Sequence, residues 1–128
     1  KPVGVLFADL NGLKQANDTK GHSAGDELIR AGARVLRSVF HDEEVFRAGG
    51  DEFTVIVVGI TAGEMEEKKR QIRERSGNDV NLAIGVSIEK DCRNVRTALR
   101  KADEDMYEDK RNYYESHPEM KRRHSDAH

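Results

Sequence analysis

The sequence predicts one α+β domain in which a mostly antiparallel central sheet is flanked by helices. A chain of 128 residues has the size of a single domain. Apolar runs of strand length alternate along it with segments of helical period. Two of these runs are separated only by a short Gly-Gly segment, so they pair as a hairpin, which excludes a purely parallel sheet. The expected order is β, α, β, β, α, β, α.

The first half of the chain predicts a strand, a loop and a long helix. Residues 3–8 read as a short buried strand that ends in an Asp-Leu-Asn-Gly turn. Residues 17–24 are expected to form a loop. Ser23 is the expected N-cap of an amphipathic helix, whose apolar positions are Leu28, Ala31, Val35, Leu36, Val39 and Phe40.

A hairpin follows, with strands at residues 45–46 and 53–58 and a turn of positive φ at Gly49 and Gly50. Thr61 begins a capping box that starts a charged helix, which is expected to stop at Ser76-Gly77.

The last elements are a strand over residues 80–88 and a helix capped by Asn94. The inner face of this helix is predicted to contain Val95, Ala98, Leu99, Ala102 and Met106. A ferredoxin-like or palm-like sandwich is the simplest arrangement of all these elements.

Charge and hydropathy exclude several classes of partner. Lys and Arg total 22 against 24 Asp and Glu, a net charge of -2, which offers no general field for nucleic acid or an anionic membrane. The longest apolar stretch, residues 53–60, is far shorter than the roughly 20 residues that span a bilayer. We therefore expect a soluble domain without nucleic-acid or direct membrane contact. A single cysteine, Cys92, excludes an internal disulfide.

Carboxylates are predicted to meet at one end of the sheet. Asp9 follows the first strand, and Asp51 with Glu52 occupies the hairpin tip. Such a cluster is repulsive unless a cation relieves it, and oxygen ligands without cysteine favour a hard ion such as Mg²⁺. Because Mg²⁺ often completes its shell with phosphate oxygens, a nucleotide is expected beside it. The backbone of residues 11–13 and the ammonium group of Lys14 can then face the phosphates.

Each candidate also has a simpler explanation when it is taken alone. Asp26 can act only as a favourable charge near a helix N-terminus. His22 can brace a loop, and Lys14 can be a solvated surface lysine. Residues 49–52 can form a hairpin turn with a solvated acidic tip.

Several motifs together resemble one known family. They are Asp-Leu-Asn-Gly-Leu-Lys at residues 9–14, Asn-Asp at 17–18, Gly-His at 21–22, Gly-Asp at 25–26, Gly-Gly-Asp-Glu-Phe at 49–53, and Ala102-Asp103 with Met106-Tyr107 and Lys110. This pattern resembles the GGDEF family of diguanylate cyclases from about residue 3 to residue 114. The resemblance implies a palm-like, adenylyl-cyclase-related fold for a domain over residues 1–116. Residues 117–128 show no apolar period and are expected to form a disordered tail.

The resemblance also implies an activity. Two GTP molecules would condense into cyclic di-GMP and two pyrophosphates across a homodimer, each 3'-hydroxyl attacking the α-phosphate of the other. Mg²⁺ is the implied cofactor, with Mn²⁺ as an alternative. The implied location is the cytoplasm, in a parent protein that has an N-terminal sensor or regulatory domain and can be membrane-anchored. The alternative is a catalytically silent GGDEF domain that binds GTP as a regulatory or interaction module.

Site residues are carried over by their match to the family motifs. Metal binding is assigned to Asp9, the Leu10 carbonyl, Asp51 and Glu52. Catalysis is assigned to Asp51, which accepts the proton of the attacking hydroxyl, and to Lys14, which offsets phosphate charge. Substrate binding is assigned to Gly12, Leu13, Asn17, His22, Asp26 and Lys110. Asp26 favours guanine because a carboxylate can accept from the N1–H and the exocyclic amine together.

Three departures from the family pattern are visible. Asn11 stands where many relatives have a second aspartate, and Tyr114 stands where they often have a phosphate-binding arginine, for which Arg111 can compensate. The resemblance implies that product inhibition needs an Arg-x-x-Asp stretch that ends shortly before the Gly-Gly pair. Residues 40–43 occupy that place without the arginine, so we expect no such inhibition.

Overall fold

The computed structural model describes residues 1–41, 44–78 and 80–120. Within these ranges the strands are β1 (Val3–Leu10), β2 (Val45–Gly49), β3 (Glu52–Val58) and β4 (Leu82–Glu89), and the helices are α1 (Leu13–Lys20), α2 (His22–Val39), α3 (Ala62–Ser76) and α4 (Val95–Ser116). The sheet order is β2-β3-β1-β4, and every pairing is antiparallel. The predicted α+β fold, a palm-like antiparallel sheet flanked by helices, is confirmed.

The two faces of β1 enter two different cores because side chains alternate along a strand. Leu6 and Leu10 lie in the larger core, beneath α2 and α3. Val3 and Val5 lie in the smaller core with Ala98 of α4. The same alternation places Asp9 on the α4 side, where it is 6% exposed. The strand therefore carries a carboxylate into the interior beneath α4.

Helix α4 lies unusually close to the edge strand β4. A Cβ atom built on Gly85 would be 2.1 Å from both the Ala102 carbonyl oxygen and the Met106 nitrogen. No residue larger than glycine fits between these backbones without displacing the helix. Since Lys110 lies one turn beyond Met106, the small residue at Gly85 also determines the depth at which Lys110 enters the structure.

The segment after β1 differs from the prediction. β1 extends two residues beyond Ala8, and much of the predicted loop at residues 17–24 is helical, in α1 and the start of α2. The N-cap of α2 is Gly21, with φ of 86°, rather than Ser23. The reason is that Gly21 makes a sharp turn between two helices that pack on each other.

The hairpin is present, but the predicted turn conformation is wrong. Within the described ranges the positive-φ glycines are Gly12, Gly21, Gly59 and Gly77, and neither glycine of the hairpin is among them. The pairing register instead shifts between Arg47 and Gly49. A bulge of this kind turns the strand without a left-handed residue.

The capping box of α3 is confirmed, with Thr61 accepting from the Glu64 amide at 3.1 Å and Glu64 accepting from the Thr61 amide at 2.9 Å. Asn94 occupies the N-cap position of α4 but makes no capping bond with its side chain. No helix of the described residues is long and apolar enough to cross a membrane.

Beyond α4 the chain turns back toward α1, where Gln15 Nε2 donates to the Glu119 carbonyl at 3.1 Å. The rest of the predicted tail, residues 121–128, lies outside the described residues, as do Asp42 and Glu43 of the segment compared with the inhibitory motif.

Candidate active site

The centre of the site is a buried ion pair that joins the first strand to the last helix. Lys110 Nζ lies 3.0 Å from Asp9 Oδ2, and the two side chains are only 8% and 9% exposed. The same ammonium group lies 3.5 Å from the Leu10 carbonyl oxygen. The second carboxylate oxygen, Asp9 Oδ1, is buried and has no hydrogen-bond partner among the described residues.

Burial controls the charge state of Asp9. Removal of the carboxyl from water raises its pKa from 3.8 to about 7, although the nearby Lys110 ammonium opposes the shift. The negative charge of the nearby Asp51 carboxyl raises the pKa of Asp9 further. Asp9 and Asp51 therefore lie close together, at the predicted corner.

This raised pKa predicts a pH-dependent stability in the metal-free protein. The folded state retains the Asp9 proton at pH values where the unfolded chain has released it. The contribution of Asp9 to the free energy of unfolding is therefore present below about pH 4 and is lost as the pH rises through about 7. Urea unfolding in EDTA across this range should show wild type losing stability relative to Asp9→Asn as the pH rises. A relative gain over the same range would contradict the assignment.

Two contacts fix the hairpin tip beside Asp9. The Leu10 amide donates to the Asp51 carbonyl oxygen at 3.2 Å. The Arg47 guanidinium donates to the Gly50 carbonyl oxygen at 2.7 and 3.1 Å. Glu52 is directly opposite Asp9 in the ladder of β1 and β3, so the two side chains leave the same face of the sheet. The tip is held by its backbone, which leaves the Asp51 side chain available for chemistry.

The turn after β1 is held by groups far away in sequence. The side-chain nitrogen Asn11 Nδ2 donates to Asn81 Oδ1 at 2.7 Å, while Asn11 Oδ1 is buried and has no hydrogen-bond partner in the described part of the chain. Gly12 has a φ of 79°, and its N–H donates to the Tyr114 hydroxyl at 3.1 Å. The Asn11 backbone N–H also donates, to the Asn81 carbonyl oxygen at 2.9 Å. Two of the three backbone N–H groups expected to face phosphate therefore already have partners.

The α1–α2 pair brings the two predicted base-binding residues near each other. A Cβ atom on Gly25 would lie 1.8 Å from Asn17 Oδ1, so the Asn17 side chain presses on the α2 backbone next to Asp26. Asp26 and His22 are exposed. Lys14 forms an exposed ion pair with Asp18 at 2.5 Å, an interaction that contributes little stability and is easily exchanged for phosphate.

The structure thus brings the predicted metal-binding residues and Lys110 together, but it does not join other predicted site residues to them. Asp9, Leu10, Asp51 and Lys110 meet in one corner, whereas no hydrogen bond or ion pair of the described residues joins Lys14, His22 or Asp26 to it. Sequence reasoning missed Arg47, Asn81 and the Tyr114 hydroxyl as partners of this corner. A capping motif or a hydrophobic period gives no signal for contacts such as that between Asn11 and Asn81, which are 70 residues apart.

A divalent ion fits this corner by its chemistry. Two carboxylates approach each other, one carboxylate oxygen lacks a partner, and a backbone carbonyl points to the same place. These are the oxygen donors that Mg²⁺ prefers. No group of three or more His, Cys, Asp or Glu side chains in the described ranges could hold a metal. The ion would therefore need ligands from elsewhere, such as water and phosphate.

These features define a palm-like α+β domain with paired carboxylates at the end of its central strand. A model of the diguanylate cyclase GGDEF domain matches residues 1–115, nine-tenths of the sequence, and the chain belongs to this GGDEF family.

Individual proteins and one solved structure are similar to this chain. Probable diguanylate cyclase DgcI of Escherichia coli K12 is 35% identical over 112 residues, which cover 84% of this chain and 25% of that protein. Cyclic di-GMP phosphodiesterase PdeR of the same strain is 30% identical over 116 residues, covering 82% and 18%. The structure of the active GGEEF domain of a diguanylate cyclase from Vibrio cholerae superposes with a TM-score of 0.75 at 28% identity, covering 88% of this chain and 78% of that one. The chain spans about a quarter of the length of the first curated relatives that it matches.

Proposed function

We propose that this domain is a diguanylate cyclase that condenses two GTP molecules into cyclic di-GMP and two pyrophosphates. The observation that carries the proposal is the meeting of Asp9 and Asp51 in a GGDEF domain whose signature residues are all present. A silent domain has no need to keep a half-buried carboxylate beside a buried one that it repels.

The reaction follows from the groups in this corner. A bound Mg²⁺, or Mn²⁺ in its place, would be held by Asp9, the Leu10 carbonyl and Asp51, with Glu52 nearby, and would supply positive charge to the phosphates. Asp51 accepts the proton of the 3'-hydroxyl of one GTP while the oxygen of that hydroxyl bonds to the α-phosphorus of the other GTP.

As that bond forms, the bond to the leaving pyrophosphate breaks. Lys14 and Lys110 offset the charge that builds on the phosphates. Leu13 offers its backbone to them, as does Gly12 once its N–H exchanges the Tyr114 hydroxyl for a phosphate oxygen.

Each subunit provides one such half-site, so the product requires two copies that face each other about a two-fold axis. We propose that the domain acts as a homodimer in the cytoplasm. An attached sensor or regulatory domain would set how often the copies meet, in a parent protein that can be membrane-anchored. At low protein concentration the isolated chain is then expected to be slow.

Guanine specificity is assigned to Asn17 and Asp26, with His22 beside them. Replacing Asp26 by Asn exchanges one carboxylate oxygen for a donor that faces the guanine N1–H. We predict that Asp26→Asn weakens GTP binding by about 10- to 100-fold, the range for a lost bidentate contact to a base. ITP, which lacks the exocyclic amine, should bind wild type more weakly than GTP does, and the variant should discriminate less. Calorimetry with both nucleotides measures this, and an unchanged GTP/ITP ratio would contradict the role of Asp26.

A second candidate function is GTP binding without turnover. The observation that favours it is the hydrogen bond from the Gly12 amide to the Tyr114 hydroxyl. Tyr114 stands where relatives often have a phosphate-binding arginine, and its hydroxyl takes up an N–H group that was expected to face phosphate. The relative named as a phosphodiesterase contains a region similar to this domain in a protein with another activity. Calorimetric binding of GTP, with no product on prolonged incubation with Mg²⁺ at high protein concentration, would favour this function over the cyclase.

A further inference from the structure

Lys110 is the one buried lysine in the described part of the chain. Its ammonium group contacts two groups of the proposed metal site. Its ammonium group lies 3.0 Å from Asp9 Oδ2 and 3.5 Å from the Leu10 carbonyl oxygen. These atoms are the ones that the proposed function assigns to a metal ion. In the nucleotide-free domain, the lysine is thus the cation at that place.

One ammonium group compensates this corner incompletely. Asp9 Oδ1 is buried without a hydrogen-bond partner among the described residues, and the charge of Asp51 acts on the same carboxyl. When both carboxyls are ionised, a single positive charge faces two carboxylates, so negative potential remains for a further cation. A metal ion that bound there would, however, lie within a few ångströms of the Lys110 ammonium, and two cations at such a distance repel each other strongly in a buried site.

We propose that Lys110 is a resident counter-ion that occupies part of the metal site until a nucleotide arrives. It keeps the Asp9 carboxylate paired in the empty domain and opposes the binding of metal alone. The triphosphate then supplies the negative charge that lets the lysine and the metal coexist. Metal binding and nucleotide binding are thereby coupled, because each is weaker without the other. The inference rests on the proposed metal site but does not require turnover.

The test is the binding of Mn²⁺ alone, followed by electron paramagnetic resonance, with no nucleotide present. Lys110→Met keeps the buried stem and removes the charge. It should bind Mn²⁺ at least about tenfold more tightly than wild type, because the opposing charge is gone. The matched control is Lys101→Met, a change on the same helix at an exposed lysine that pairs with Glu89 at 3.1 Å, and its Mn²⁺ affinity should equal that of wild type.

Thermal unfolding provides a second measurement that covers the case in which Lys110→Met folds poorly. Because the variant leaves Asp9 buried without its partner, Mn²⁺ should raise its melting temperature, or restore its folding, far more than it does for wild type. Asp9→Asn combined with Lys110→Met removes both charges and should show no response to Mn²⁺.

The inference is overturned if folded Lys110→Met binds Mn²⁺ no more tightly than wild type. It is equally overturned if Lys101→Met gains as much, or if an unfolded Lys110→Met stays unfolded at every Mn²⁺ concentration. Absence of cyclic di-GMP synthesis would contradict the proposed function and leave these results unaffected.

Discussion

Asp51→Ala should reduce cyclic di-GMP synthesis by about three orders of magnitude or more, because it removes the proposed general base and a proposed metal ligand together. The fold should survive. The Leu10 amide bonds to the backbone carbonyl of Asp51, which the substitution keeps, and Arg47 holds the neighbouring Gly50 carbonyl. Product formation is measured by nucleotide chromatography, and folding by circular dichroism and melting temperature.

The pKa of Asp9 and a control variant make this prediction specific. Loss of the Asp51 charge should lower the pKa of Asp9 toward its ordinary range, since that charge helps to raise it. Glu89→Ala, at the opposite end of the sheet, should leave the synthesis rate close to that of wild type. Retained synthesis in folded Asp51→Ala would show that the catalytic assignment is wrong.

Gly85→Ala should strongly destabilise this domain. Its Cβ atom would lie 2.1 Å from two backbone atoms of α4, the Ala102 oxygen and the Met106 nitrogen, which cannot rotate away as a side chain would. We expect the free energy of unfolding to fall by about 3 kcal/mol, the upper part of the range for overpacking. Urea unfolding measures this loss.

The matched control for this change is Gly63→Ala in α3, where an added Cβ meets nothing within 4 Å. It should leave stability unchanged or raise it by up to about 1 kcal/mol, because glycine is unfavourable inside a helix. If both substitutions had equal effects, the close approach of α4 to β4 would be contradicted.

Patterns within single elements made much of the fold predictable. Alternation along β1 and β3, the helical period of α2, and the Thr61 capping box each act over a few residues, so the sequence displays them directly. The helical segment α1 was missed because its Asn-Asp-Thr-Lys-Gly run has turn-forming composition. It is helical because it packs against α2, where Asn17 meets Gly25, and packing of that kind overrides local propensity.

The site was predictable only in part, for a related reason. The acids are visible as residues at strand ends, and the resemblance added Lys110. The direct pairing of Lys110 with Asp9 joins positions about 100 residues apart, and it depends on how deeply α4 is seated over Gly85. No local pattern encodes such a depth. The same applies to Tyr114, whose hydroxyl reaches Gly12 across 102 positions of sequence.

The measurement that tests the central proposal most directly is turnover of GTP with Mg²⁺ at increasing protein concentration. The chain is assayed alone and when fused at Lys1 to a dimeric coiled coil, which keeps two copies close together. We predict cyclic di-GMP and pyrophosphate as products, at a rate per subunit that rises with the concentration of the chain alone and is higher in the fusion. Absence of cyclic di-GMP from both forms at every concentration, while GTP still binds, would contradict the assignment as a diguanylate cyclase.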